Sequence, residues 1–222
     1  MASGSGASTA DGAAGHPGEG STRRDFLTMI TLATAAVGVG AVAWPFISSM
    51  EPAADTLAAG APIDVDLSQI EPGQQVLVLW QEKPILIVNR PPAALQALQS
   101  KAMIDHLSDP NSKVPQQPPY ADNWHRSVQT EWAVLVGICT HLGCLPDYFP
   151  NPSKNTPVAD WPGGYLCPCH GSKYDLAGRV WKNVPAPYNL PVPPYHFPDP
   201  KTVRVGQNPP RVTWSLNDIV QI

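Results

Sequence analysis

All four cysteines of the chain stand in two short stretches, Cys139-Thr140-His141-Leu142-Gly143-Cys144 and Cys167-Pro168-Cys169-His170-Gly171-Ser172, and each stretch also carries a histidine. A fold in which these side chains act together must bring two separate loops to one point. Each half mixes its donors, Cys-x-His in the first and Cys-x-x-His in the second. Structural zinc usually draws paired cysteines from one segment and paired histidines from another. A mixed pair in each half suits a two-iron cluster, with both thiolates on one iron and both neutral imidazoles on the other. A four-cysteine disulfide framework with bystander histidines and a mixed zinc site are the alternatives, and neither accounts for the likeness of the two halves.

The two motifs resemble those of the Rieske iron-sulfur proteins, and residues 22–206 resemble the quinol-cytochrome c reductase branch of that family. The resemblance implies one 2Fe-2S cluster with Cys139, His141, Cys167 and His170 as ligands, and a disulfide between Cys144 and Cys169. It implies that Ser172 and Tyr174 donate hydrogen bonds to a bridging sulfide and a ligand sulfur, tuning the potential. His170 is then the residue that contacts quinol and accepts its proton. Leu142 corresponds to an apolar contact with cytochrome b, although a leucine packed inside the domain is the other reading. Pro185, Ala186 and Pro187 match the proline loop over the cluster, with Val184 standing where a glycine is usual. Gly143 and Gly171 flank the ligands and are expected to adopt conformations closed to other residues, leaving amides to point at sulfur.

Residues 1–21 are almost all small or polar and are expected to be disordered. The following Ser21-Thr22-Arg23-Arg24-Asp25-Phe26-Leu27 is a twin-arginine export pattern, suited to a protein that folds around its cofactor before crossing a membrane. Two arginines obeying the positive-inside rule are the plainer reading. Residues 26–47 form an apolar run of about 33 Å as a helix, against about 30 Å of bilayer hydrocarbon. That exceeds the core of a removable signal and favours a retained single-pass anchor within residues 22–50, although Ala59-Gly60-Ala61 has the look of a cleavage site. The arginines would stay in the cytoplasm and the rest of the chain in the periplasm, on a bacterial inner membrane.

Residues 51–62 are rich in Ala, Gly and Pro and are expected to be a flexible tether. The resemblance implies a hinge there, carrying the cluster between a quinol site and a c-type haem. Residues 63–222 are expected to be the Rieske domain, with a cluster-binding subdomain at about 138–188. The predicted strands are 63–67, 75–80, 84–88, 131–138, 165–166, 179–182, 192–197 and 202–205. A short helix is predicted over 91–101, an inserted loop over 104–130 and a connecting loop over 145–166. The fold class is mainly β, a single N-terminal transmembrane helix followed by an antiparallel β-sandwich with the cluster subdomain inserted. The 27 prolines fit such a loop-rich domain. Residues 206–222 alternate apolar at Val212, Trp214 and Leu216, as an edge strand or a subunit contact would. His16, His106, His125 and His196 lie outside any motif and are expected at the surface.

Two imidazoles in place of two thiolates reduce the negative charge of a cluster and raise its potential. Rieske centres span about −150 to +300 mV, against about −400 mV for plant-type ferredoxins. The function implied is electron transfer from ubiquinol to a membrane-bound c-type cytochrome, with cytochrome b as partner, in a dimeric membrane complex that translocates protons. A net charge of −4 with no basic stripe excludes nucleic-acid binding. An arsenite oxidase Rieske subunit and an exported zinc or disulfide module are the competing readings. A dioxygenase ferredoxin fits less well, since a disulfide has no place in a reducing cytosol.

Overall fold

The computed structural model describes residues 22–51, 60–150 and 161–221. The expected disordered start, most of the tether and much of the 145–166 connection therefore lie outside the described residues. Two units are distinguished, dividing after Ala53.

The first unit contains helix α1, Arg23–Ser48. Its start is set by a capping box, in which the Thr22 hydroxyl accepts the Asp25 amide at 3.3 Å and the Asp25 carboxylate accepts the Thr22 amide at 3.0 Å. Both arginines thus sit inside the first turn. Thr28, Thr31 and Thr34 return their hydroxyl protons to the carbonyls four residues back, at 2.8–2.9 Å. Polar side chains satisfied in this way suit hydrocarbon surroundings, where no water is at hand. At 26 residues the helix is long and apolar enough to cross a membrane.

Among the described residues, the second unit contains nine strands in three antiparallel, three-stranded sheets. One sheet contains β1 (Ile63–Asp66), β9 (Thr202–Val205) and β8 (Tyr195–Asp199), in that order. Another contains β2 (Gln75–Trp80), β3 (Lys83–Asn89) and β4 (Trp132–Val136). The third contains β5 (Asp147–Phe149), β6 (Gly164–Leu166) and β7 (Lys173–Tyr174). The first two sheets contribute to one core, in which Ile85, Ile87, Val134 and Val136 pack with Tyr195, Val203 and Val205. The same core extends to Cys139, Tyr165, Cys167 and Tyr174, so the cluster subdomain is continuous with it. β4 is buried along its whole length, which accounts for its unbroken apolar sequence.

Several boundaries differ from expectation. Residues 179–182 form no strand but only isolated bridges, Tyr174 to Val180 and Leu107 to Trp181. The segment expected as a strand over 192–197 begins only at Tyr195, because prolines 191, 193 and 194 have no amide to give a ladder. The predicted helix over 91–101 is two short helices, α2 (Pro92–Leu98) and α3 (Lys101–His106), the second capped by Ser100 and reaching into the expected loop. The 145–166 connection contributes β5 and the whole of β6. Residues 206–221 include no strand; they lie back on the domain, with the Trp214 indole donating to the Val192 carbonyl at 3.4 Å and Gln116 donating to the Gln221 carbonyl at 2.9 Å.

Of the four histidines expected at the surface, His106 is exposed, His125 and His196 are half-buried, and His16 lies outside the described residues. The Ser127 hydroxyl donates to the Gln129 carbonyl at 2.8 Å and accepts Arg90 at 2.6 Å, so its remaining lone pair takes the His125 Nδ1 proton at 2.7 Å. Burial, then the charge of Arg90, hold this imidazole down to about 4.

Candidate metal centre

The two motif loops hang from the ends of strands, the first after β4 and the second between β6 and β7. They share one hydrogen-bond pattern. In the first, the Gly143 amide donates to the Cys139 carbonyl at 2.9 Å and the Cys139 amide to the Cys144 carbonyl at 2.8 Å. In the second, Gly171 donates to Cys167 at 2.9 Å and Cys167 to Ser172 at 2.8 Å. Gly143 and Gly171 have φ of +82° and +75°, with open space where a Cβ would sit. Conformation rather than crowding therefore calls for glycine. Their own amides close the loops, as the expected glycine conformation allows, and leave neighbouring amides to point at sulfur. The amides that do bond the Cys167 sulfur are those of Cys169 and His170.

Cys144 and Cys169 are joined by a disulfide, with Cα atoms 6.6 Å apart. It ties the loops together beside Cys139 and Cys167, which are free thiols, each 1% exposed. The sulfurs of Cys144, Cys167 and Cys169 lie within 4.8 Å of one another, but two of the three are consumed by the disulfide and cannot ligate. The rings of His141 and His170 stand edge to face, centroids 4.7 Å apart. His141 Nδ1 is buried and has no hydrogen-bond partner among the described residues. A buried imidazole nitrogen without a partner is costly unless something else binds it. Two thiols and two imidazoles, one nitrogen orphaned, are the donor set that a mixed-ligand iron-sulfur cluster requires. Burial, opposed by the two amides and reinforced by Cys139, pushes the Cys167 thiol up, so loading with metal must release protons.

Around the thiols lies a set of hydroxyls. Tyr174 Oη is 3.3 Å from Cys139 Sγ and accepts the Thr140 amide at 3.2 Å. The Thr140 hydroxyl donates to the Tyr188 carbonyl at 2.8 Å and lies 3.2 Å from Tyr174 Oη. Ser172 Oγ accepts the Ala186 amide at 3.1 Å, which leaves its proton for another acceptor and pins the proline loop to the second motif. Pro185 and Pro187 are exposed on either side of buried Ala186. The positive φ in that turn, +58°, falls on Asn183, a residue that tolerates it, so Val184 packs against the core without strain. Leu142 is 70% exposed and does not pack inside the domain. His170 is exposed, whereas His141 is half-buried.

Residues 120–195 match the family described as "Rieske [2Fe-2S] domain", and residues 13–53 match "Ubiquitinol-cytochrome C reductase Fe-S subunit TAT signal". The ubiquinol-cytochrome c reductase iron-sulfur subunit of Allochromatium vinosum is 47% identical over 186 residues, 84% of this chain and 89% of its own length. The corresponding subunits of Rhodospirillum rubrum and Bradyrhizobium diazoefficiens are 45% and 43% identical and are covered over 98% and 99% of their lengths. The chain belongs to the Rieske iron-sulfur subunits of ubiquinol-cytochrome c reductase.

This Rieske subunit thus carries a twin-arginine signal and an apolar helix fit to anchor an exported domain. The arsenite oxidase and ferredoxin readings fall with the match of its N-terminus, and the zinc and disulfide-only readings with the match of its domain. Its cofactor is a 2Fe-2S cluster, and its role is electron transfer in an oxidoreductase complex. Three buried residues escaped sequence reading. Thr140 sits inside the first motif but reads as a spacer, and Arg90 and Arg126 look like solvent-facing charges although they are 1% and 0% exposed.

Proposed function

We propose that Cys139 and Cys167 ligate one iron and His141 and His170 the other, and that the subunit takes electrons from ubiquinol and delivers them to a membrane-bound c-type cytochrome. The observation that carries this is the convergence of two buried thiols and two imidazoles, with His141 Nδ1 orphaned, on loops of matching hydrogen bonding. A 2Fe-2S cluster held there supplies a one-electron acceptor of raised potential. His170, the exposed member of the pair, receives the quinol hydroxyl at its outer ring nitrogen and takes its proton. Ser172 and Tyr174 donate their hydroxyl protons to sulfur and favour the more negative state. Leu142, standing out of the domain, makes the apolar contact with cytochrome b.

Residues 51–62 serve as the hinge between anchor and domain, with Arg23 and Arg24 cytoplasmic, the domain periplasmic and the whole in a dimeric complex of the bacterial inner membrane. Positive-inside orientation and the requirement for a disulfide-permissive compartment support this placement. The test is purification of the complex from membranes, iron analysis and EPR of the ascorbate-reduced form. A mixed-ligand 2Fe-2S signal that is lost in His141→Ala and Cys139→Ala supports the ligand set; iron-free protein, prepared without air or chelator, refutes it. Proton uptake at the imidazoles requires a potential that falls with rising pH above neutrality, and a flat profile from about pH 6 to 10 contradicts the coupling.

A further inference from the structure

The turn that follows Tyr174 is held by a group of buried charges to which the proposed reaction assigns no part. Asp175 and Arg179 form an ion pair at 2.7 Å with side chains 0% and 3% exposed. Asp175 also accepts the amides of Ala177 and Arg179 at 2.9 and 2.8 Å, so three hydrogen bonds hold its carboxylate. Arg126 donates to the carbonyls of Ala177 at 3.0 Å and Gln116 at 3.3 Å and to Gln117 Oε1 at 3.0 and 3.3 Å. Arg90 reaches His125, Thr130 and Leu176 carbonyls at 2.8, 2.6 and 3.4 Å and the Ser127 hydroxyl at 2.6 Å. Every acceptor of Arg90 and Arg126 is neutral. Among the described residues no carboxylate forms a salt bridge with Arg90 or Arg126.

Burying a guanidinium without a counter-ion is expensive, and neutral donors could serve the same carbonyls at lower cost. Burial lowers both arginines only to about 10, so both remain charged at neutral pH. The four buried groups therefore leave two positive charges in excess. Their anchor points, the carbonyls of residues 176 and 177, follow within three residues of the tyrosine whose hydroxyl meets Cys139. In a low-dielectric interior such charges act over longer distances than in water.

Resting on the cluster assignment above, we propose that the uncompensated charges of Arg90 and Arg126 raise the reduction potential of the centre by favouring the state that carries the extra electron. Gln117→Glu tests this without dismantling the network. Its carboxylate keeps both bonds to Arg126 and supplies the missing counter-ion, at the loss of one amide bond from Gln117 to the Ser112 carbonyl. The expected result in the detergent-purified complex is a roughly tenfold shift of the one-electron equilibrium toward the oxidised form, about 59 mV lower, with full iron content. Arg90→Gln should shift in the same direction, Arg126→Lys should retain most of the potential, and Gln69→Glu, at an exposed site, should leave it unchanged. A structural role alone would alter melting temperature and leave the midpoint of the iron-loaded fraction where it was. An unchanged midpoint in iron-loaded Gln117→Glu overturns the proposal, as does loss of folding in every neutralising variant. Wild-type protein without a 2Fe-2S signal would refute the cluster assignment itself.

Discussion

Replacing Tyr174 by Phe removes one oxygen with three neighbours, and the geometry gives each loss a sign. The Thr140 amide loses its acceptor at 3.2 Å in a residue 1% exposed, which costs about 1–3 kcal/mol of stability. The tyrosine proton has two possible acceptors, Cys139 Sγ at 3.3 Å and Thr140 Oγ1 at 3.2 Å. The Thr140 hydroxyl spends its own proton on the Tyr188 carbonyl, so it competes only as a neutral acceptor. A negatively charged sulfur wins that competition, and wins by more when the centre is reduced. If the bond favours the reduced state by about 1 kcal/mol, its loss lowers the midpoint by about 40 mV, at about 59 mV per tenfold. Ser172→Ala should act in the same direction, because it deletes a free hydroxyl proton and also strands the buried Ala186 amide. The assay is a mediated redox titration of the purified complex at fixed pH, read by EPR of the reduced form, beside a thermal melt. An unaltered midpoint in iron-loaded Tyr174→Phe, even with a lowered melting temperature, would show that the hydroxyl serves only to cap the Thr140 amide.

The disulfide closes a separation of 25 residues, so Cys144→Ala with Cys169→Ala should lose about 3.5 kcal/mol of stability by chain entropy, visible as a lower denaturation midpoint; equal stability would mean that the loops are held without it. His125 contributes in the opposite sense to a salt-bridged histidine. Its folded value of about 4 lies below the unfolded value of about 6.5, so the unfolded chain takes up the proton first on acidification. Melting temperature should therefore be highest above about pH 6.5 and decline as pH falls toward about 4, and His125→Gln should flatten that decline. The same slope in the variant would exclude His125 as its source.

The paired motifs, the twin arginines and the apolar run were legible because each is local: ligand spacing, signal order and hydrophobic length all lie within a few turns of chain. The capping box at Thr22 and Asp25 was equally local. β2, β3 and β9 could be read from short apolar runs bounded by turn residues, a pattern that needs no distant partner to show itself. The absence of a strand at 179–182 was not legible, because Val180 and Trp181 have strand-forming side chains and only the hydrogen bonds around Asp175 and Asn189 decide their backbone. Arg90 and Arg126 show the same limit from the other side, as charge predicts exposure unless carbonyls elsewhere in the chain converge on it.

The amino-acid sequence by itself determined the chemistry of this subunit, because donor identity, anchor length and the order of signal, helix and domain are properties of neighbouring residues. Tertiary structure alone decided which amides face sulfur, which hydroxyl proton is left free, that the left-handed turn falls on Asn183, and that two arginines are interior. Each of these depends on groups far apart in the chain meeting in a water-poor interior, where a hydrogen bond or a charge has a value that spacing does not encode.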